Sequence, residues 1–363
     1  MSVRRSAELQ PARAGKGERI LKVAAVQLNS TDDLAANLAA ADRHTRAAAA
    51  DGAELIVLPE KWTAMGTDQQ LRAAAEPLDG RALGWARALA GELGVELIAG
   101  SFLEQIPGEK KLANTSVHIG PSGAVRAVYR KLHMFDVSIE GREYRESDIE
   151  LPGEQLVLSS TATDLELGMS ICYDLRFPEL YRALAVAGAR MFPLPAAFTL
   201  ATTRDHWQAL LRARAIENEA FVVAANQVGA HPGHHRSGGR SMIVDPWGLV
   251  LAQAPDAPCY IVAELDLERQ RQIREQLPVL ANRRPDVYTS RPDAATNSPD
   301  LHVSGPDVHC SRPDAFAKIE SGGASQSAST QPPDAANVLD AAAIPGADTG
   351  RGLAVPAGGG RAR

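Results

Sequence analysis

The stretch LELGMSICYDLRFPELYR, residues 165–182, holds one complete repeat of the fold. Its first seven residues are mostly apolar and short in extent, as a buried strand is. Pro178 then stands where a helix begins, because the N–H that proline lacks would have no partner there. PELYRALAVAGA continues the helix to a stop at Gly188, and RMFPLP follows as another short strand. Cys172 lies where the first strand gives way to the turn.

The same alternation extends outward in both directions. Upstream, LKVAAVQL (21–28) reads as a buried strand, and Thr31 and Asp32 can cap the Ala-rich helix that ends by Gly52. ELIVLPE (54–60) is a strand, 81–93 a helix and VELIAGSFL (95–103) a further strand. NTSVHIG and AVRAVYR flank the P-S-G turn at 121–123 and predict a hairpin. Downstream, HWQALLRARAIENEA is an amphipathic helix, FVVAANQ a strand, SMIVDPWGLVLAQ a hairpin and YIVAELDLE a strand. A charged helix covers 266–277. Hairpins set among βα units predict an α/β fold with mixed sheets.

No Pro/Gly/Ser-rich linker interrupts 21–288, so residues 20–290 form one domain. Residues 1–19 read as a flexible polar leader. Pro-Asp recurs every seven residues at Pro285, Pro292, Pro299, Pro306 and Pro313. A proline in every repeat is incompatible with a heptad coiled coil. Residues 291–363 are therefore expected to be a disordered, low-complexity tail.

The 363 residues are 45% hydrophobic with a net charge of −6, which excludes the basic footprint of a nucleic-acid binder. Three cysteines suit a reducing compartment better than a disulfide framework. The basic N-terminus lacks the apolar core of a secretory signal, and no stretch approaches the roughly 20 apolar residues of a membrane span. A cytoplasmic protein with no nucleic-acid or membrane partner is expected. There is no GxGxxG after a strand and no GxxxxGK[ST], hence no dinucleotide or P-loop signal.

Three chemically capable residues share one position in the pattern. Glu60 in IVLPEKW, Lys131 in AVYRKLHMFDV and Cys172 in GMSICYD each follow an apolar strand. Side chains at strand C-termini of α/β sheets converge on the crevice where ligands bind. There a carboxylate could take the thiol proton and an ammonium could steady an oxyanion. Each also has an ordinary reading: packed cysteine, loop carboxylate, solvated lysine. His231, His234 and His235 invite a metal, yet no Cys or acidic ligand nearby completes a tetrahedral set, so HPGHHRSGG reads as a polar loop. His133 and His206 read as hydrogen-bonded structural residues.

LPEKW, YRKLHMFDV and ICYDLRFPELYR resemble, in order, the three signature segments of the nitrilase, or carbon–nitrogen hydrolase, superfamily. The similarity runs from about Leu21 to Tyr288. It implies a four-layer αββα sandwich that pairs with a second subunit through its helices, giving a homodimer or higher homo-oligomer. It also implies roles: Cys172 as nucleophile, Glu60 as general base, Lys131 as stabiliser of the tetrahedral intermediate, and Glu146 as the second glutamate. The backbone N–H of Tyr173 would share the oxyanion with Lys131. No metal or organic cofactor is implied.

HWQALLRARAIENEAFVVAANQ, SMIVDPWG and LPVLANRRPDVY are most similar to the branch holding deaminated glutathione amidase and omega-amidase. That resemblance implies hydrolysis of a small linear carboxamide, such as deaminated glutathione or an omega-amide of a 2-oxo dicarboxylate, to carboxylate and ammonia. Arg176, near the nucleophile in sequence, could bind an anionic substrate or pair with Asp174 or Glu179. Aliphatic amide, N-carbamoyl and nitrile hydrolysis remain alternatives, as does a catalytically silent scaffold of the same fold.

Overall fold

Successive side chains of a strand point to opposite faces, and the strand Ile20–Gln27 buries both of them. Leu21, Val23 and Ala25 enter one apolar cluster, Ala24 and Val26 another. This is why the segment reads as an unbroken apolar run and not as an alternation. The computed structural model describes residues 3–5 and 20–288.

Ile20–Gln27 lies inside an eight-stranded mixed sheet. Leu55–Val57 and Glu96–Ile98 run parallel to it, and Cys259–Asp266 pairs antiparallel on its other side. The predicted hairpin appears as Leu112–Ile119 and Val125–Arg130. A seven-stranded sheet is built around parallel Glu166–Gly168, Met191–Ala196 and Phe221–Asn226. Leu156–Ser160 flanks it on one side, and Met242–Val244 with Val250–Gln253 on the other, both antiparallel.

The helices Leu34–Ala50 and Arg81–Leu93 place Ala41, Ala48, Ala82, Leu83 and Ala86 against Ala24, Val26, Ile56 and Leu58 of the first sheet. The opposite face of that sheet, through Val23 and Val57, packs with Leu158 and Leu167 of the second sheet. Helices Pro178–Val186 and Gln208–Asn218 add Leu180, Leu184, Leu211 and Ala215 to the same core. The layers run helix, sheet, sheet, helix, the expected αββα order. Among the described residues no helix is long and apolar enough to cross a membrane.

Several local readings are corrected. The first helix is capped by Asp33, whose carboxylate accepts from Ala35 and Ala36 N–H, and not by Thr31 or Asp32. VELIAGSFL splits into Glu96–Ile98 and Phe102–Gln105. The break is Gly100, at φ +56°, where a Cβ would lie 2.2 Å from the Pro59 carbonyl oxygen. Only Glu166–Gly168 of LELGMSI is strand, because the chain leaves the sheet before Cys172. Within the expected leader, Val3–Arg5 pairs parallel with Leu156–Leu158. Pro285 opens the short helix Pro285–Tyr288. The other Pro-Asp repeats, and the expected tail 291–363, lie outside the described residues.

Candidate active site

Three strand ends deliver the three residues singled out above. Glu60 follows Leu55–Val57, Lys131 follows Val125–Arg130 directly, and Cys172 opens a 3-10 turn, Cys172–Arg176. They meet on the wall of a cavity of about 330 Å³, which Glu146, Tyr173, Lys61 and Glu150 also line.

The carboxylate of Glu60 is 2% exposed and fully engaged. Its Oε1 accepts from Asn114 Nδ2 at 2.9 Å and Lys131 Nζ at 3.0 Å, and its Oε2 from the Ala197 N–H at 2.8 Å. The Cys172 thiol lines the same wall beside this carboxylate. Burial, and then the negative charge of Glu60, push the Cys172 thiol well above its ordinary value, against the opposing pull of Lys131. At rest the site holds a neutral thiol beside a base rather than a free thiolate. Burial alone would discharge Lys131, but Glu146 and Glu60 outweigh it and keep the ammonium charged.

Glu146 accepts from Lys131 Nζ at 2.7 Å, Lys61 Nζ at 2.9 Å and the Phe135 N–H at 2.8 Å. Burial acts to raise its carboxyl, yet the two ammonium groups hold it well below the usual range. Asn114 and Glu150 carry no motif signal, and Lys61, though inside LPEKW, reads as a solvated neighbour of Glu60. Asn114 lies within the strand Leu112–Ile119.

Cys172 has φ +46°, a left-handed conformation uncommon for a residue with a side chain. The strain is held by the turn behind it. Asp174, fully buried, accepts from Ile171 N–H at 2.9 Å, Tyr129 OH at 2.6 Å, and His133 N–H and Nδ1 at 3.2 and 2.7 Å. Arg214 donates twice to the Leu175 carbonyl, at 3.0 and 2.7 Å. The Tyr173 N–H falls in the first turn of this short helix, where amides have no intrahelical acceptor.

Arg176 is not among the cavity residues. Its guanidinium lies 5.1 Å from the Phe198 ring centre and 6.0 Å from that of Tyr173, with Nη1 3.2 Å from His206 Nδ1. The alternative ion pair does not form either, since Asp174 is occupied by the turn. One cation that does line the cavity is Arg236, on the hairpin Val228–Ala230/Arg236–Gly238. It is exposed and has no ion-pair partner among the described residues.

The histidine loop divides. His231 is tied to the Ser30 carbonyl at 2.8 Å and Ser237 Oγ at 2.9 Å. His235 lines the cavity, pushed down to about 4 by burial and by Arg142 and Lys61. Among the described residues no group of three His, Cys, Asp or Glu side chains is arranged for a metal ion. His133 stacks on Phe177 at 3.6 Å between ring centres, a structural placement.

A two-sheet sandwich with thiol, carboxylate and ammonium at converging strand ends defines a hydrolase class. The profile of the carbon-nitrogen hydrolase family matches residues 22–275, and the chain belongs to that family, within the nitrilase superfamily. It is thus an enzyme of the class that acts on carbon–nitrogen bonds other than peptide bonds. The deaminated glutathione amidase of Synechocystis is 40% identical over 264 residues, covering 72% of this chain and 97% of its own. Nit3 of Saccharomyces cerevisiae, a solved member of branch 10 of the nitrilase superfamily, superposes with a TM-score of 0.67 at 31% identity, over 73% of this chain and 97% of its own. A solved amidase from Nesterenkonia sp. AN1 superposes with a TM-score of 0.60 at 25% identity, over 74% of this chain and 99% of its own. A mutant of that amidase carries acrylamide added at its active-site cysteine.

Proposed function

We propose that the protein hydrolyses a small, anionic linear carboxamide through an acyl-thioester on Cys172. One observation carries this reading: the Glu60 carboxylate and the Lys131 ammonium are hydrogen-bonded to each other on the cavity wall that also holds the Cys172 thiol. The acrylamide adduct of the Nesterenkonia amidase mutant supports a cysteine as the attacking group in this fold.

In the proposed sequence, Glu60 takes the thiol proton as Sγ bonds to the amide carbon, so a thiolate never needs to accumulate. Lys131 and the Tyr173 N–H hold the oxyanion, both preplaced and so without reorganisation at the moment of attack. Glu60 then protonates the departing nitrogen, the C–N bond breaks and the thioester remains. Glu60 next removes a proton from water, whose oxygen displaces the sulfur, and the proton returns to Cys172. The products are a carboxylic acid and ammonia, or an amine where the amide is substituted.

Relatives named deaminated glutathione amidase support a substrate bearing a 2-oxo acid group, and Arg236 supplies an unpaired cation at the cavity for its carboxylate. The test is ammonia release from α-ketoglutaramate and amine release from deaminated glutathione. Cys172→Ala is expected to lower kcat by more than about 1,000-fold. A wild type as inert as that variant across a panel of linear amides overturns the reading.

A further inference from the structure

Beyond Glu60, Lys131 and Glu146, the cavity wall holds a second lysine–glutamate pair. Lys61 Nζ donates to Glu146 Oε1 at 2.9 Å and to Glu150 Oε1 at 2.6 Å. With Lys131 between Glu60 and Glu146, the site becomes one chain in which carboxyl and ammonium groups alternate: Glu60, Lys131, Glu146, Lys61, Glu150. All five side chains are buried, Lys61 being the most exposed at 12%.

We infer that Lys61 and Glu150 are positioning residues for this reaction centre, Lys61 fixing the orientation of Glu146 and thereby of Lys131, and Glu150 holding Lys61 in place. The inference deepens the proposed amide hydrolysis and rests on it.

The backbone is shaped for this. Glu60 and Lys61 are consecutive, so in an extended strand they would point to opposite sides. Lys61 instead has φ +49°, in the left-handed region, and both side chains line the cavity. The Lys61 N–H is held by Ser101 Oγ at 3.0 Å, and the Glu60 carbonyl by Gln227 Nε2 at 3.0 Å. A lysine adopts that conformation only where surrounding contacts enforce it.

Two ammonium groups on Glu146 do what one cannot. Lys131 and the Phe135 N–H both engage Oε2, leaving rotation of the carboxylate unopposed unless Oε1 is held. Lys61 holds Oε1. Without it, Lys131 would stand between two carboxylates with only the Phe135 N–H fixing the distal one, and the oxyanion donor would lose its aim.

Glu150 completes the arrangement. Its Oε1 accepts from Lys61, while its Oε2 is buried with no hydrogen-bond partner. A buried carboxylate oxygen without a donor is costly unless it carries a proton. Burial, and then the charge of Glu146, push this carboxyl up to about 8. Near neutrality Glu150 is thus an uncharged acceptor for Lys61, which leaves the lysine's charge directed at Glu146.

The test compares Lys61→Met, the double variant Lys61→Met/Glu150→Leu and Glu150→Gln, all in the full chain. Two readouts are used: amide hydrolysis, and the rate of acrylamide addition at Cys172 followed by peptide mass. Lys61→Met is expected to lower kcat about tenfold to a hundredfold with KM changed less than threefold, and to slow acrylamide addition at least fivefold. The double variant removes Lys61 together with its second acceptor, so Glu60 and Glu146 share Lys131 alone, and it is expected to show the same loss at temperatures where it remains folded. Glu150→Gln keeps an acceptor for Lys61 and is expected to lose less in both rates than Lys61→Met. A double variant that melts like the wild type and matches it in both rates overturns the inference, as does Glu150→Gln losing as much as Lys61→Met. If no amide is turned over, the proposed function fails alone, and the acrylamide rates still decide this point.

Discussion

Cys172 occupies a backbone state that its own chemistry disfavours, and the neighbours that enforce it are Asp174 and Arg214. Asp174 receives donors from the Cys172 turn, from Tyr129 and from His133, so it ties the turn to the strand that delivers Lys131. Asp174→Ala would orphan those buried donors, each costing about 1–3 kcal/mol. A loss of about 3 kcal/mol is expected, seen as a lower Tm, with a kcat that falls even at temperatures where the variant is fully folded. Unchanged kcat in the folded variant would mean the turn holds its shape without Asp174. Glu60, Lys131 and Cys172 were legible because each follows an apolar run, a position with chemical meaning in α/β sheets. Lys61, Glu150 and Arg236 were not, because isolated charged residues read as solvated, and only the fold shows which of them reach the cavity. Arg176, close to Cys172 in sequence, packs on Tyr173 and Phe198 of the cavity wall and does not itself line the cavity.

At the scale of elements, most strands and helices were legible from period and caps, and the failures fall where the chain bends toward the site. RMFPLP reads as a strand despite Pro193 and Pro195, and Met191–Ala196 is one, paired along its length with Phe221–Asn226. Alternate residues in a strand face the same neighbour, so both prolines can be placed on the side needing no ladder N–H. On the other side Glu166–Gly168 pairs only at Leu167 with Met191 before the chain departs toward Cys172. The two sheets are also joined by polar contacts. His118, in Leu112–Ile119, lies 2.7 Å from Ser159 Oγ of the second sheet and 2.9 Å from Glu96 Oε2. Burial keeps the His118 imidazole below its ordinary value despite Glu96, and burial likewise lowers His44 and His231. His235 titrates at about 4. The unfolded chain binds protons at these histidines near pH 6.5 while the folded one resists, so stability falls as pH drops below about 6.5 and continues falling toward about 4. Melting curves from pH 7.5 to 4.5 should show this decline, with a shallower slope for His118→Gln. Equal slopes would remove His118 from the account.

At the scale of the whole molecule, the αββα order buries both faces of both sheets and leaves the outer helices to meet solvent or a partner. Around Gly248 the outer surface carries a continuous apolar patch: Ile216 at 44%, Trp247 at 58% and Leu249 at 60% exposed. A Cβ on Gly248 would lie 2.5 Å from Ile216 Cδ1, and Arg212 donates to the Gly248 carbonyl at 2.7 Å, so the turn sits directly on the helix Gln208–Asn218. Turn and helix thus present one surface, held together by that contact. We propose that a second copy of the chain covers it, in line with the expectation that the subunits pair through their helices. A lasting interface needs about 1,000 Å² or more of buried area, and an exposed tryptophan is the residue type that most often anchors one. The protein should sediment as a dimer or a higher oligomer of dimers at micromolar concentration. Trp247→Asp places a charge in the middle of the patch and should shift it to smaller species, without lowering the Tm of the single subunit. If Trp247→Asp sediments as the wild type does, the pairing surface lies elsewhere, and the patch is only what a large fold leaves uncovered.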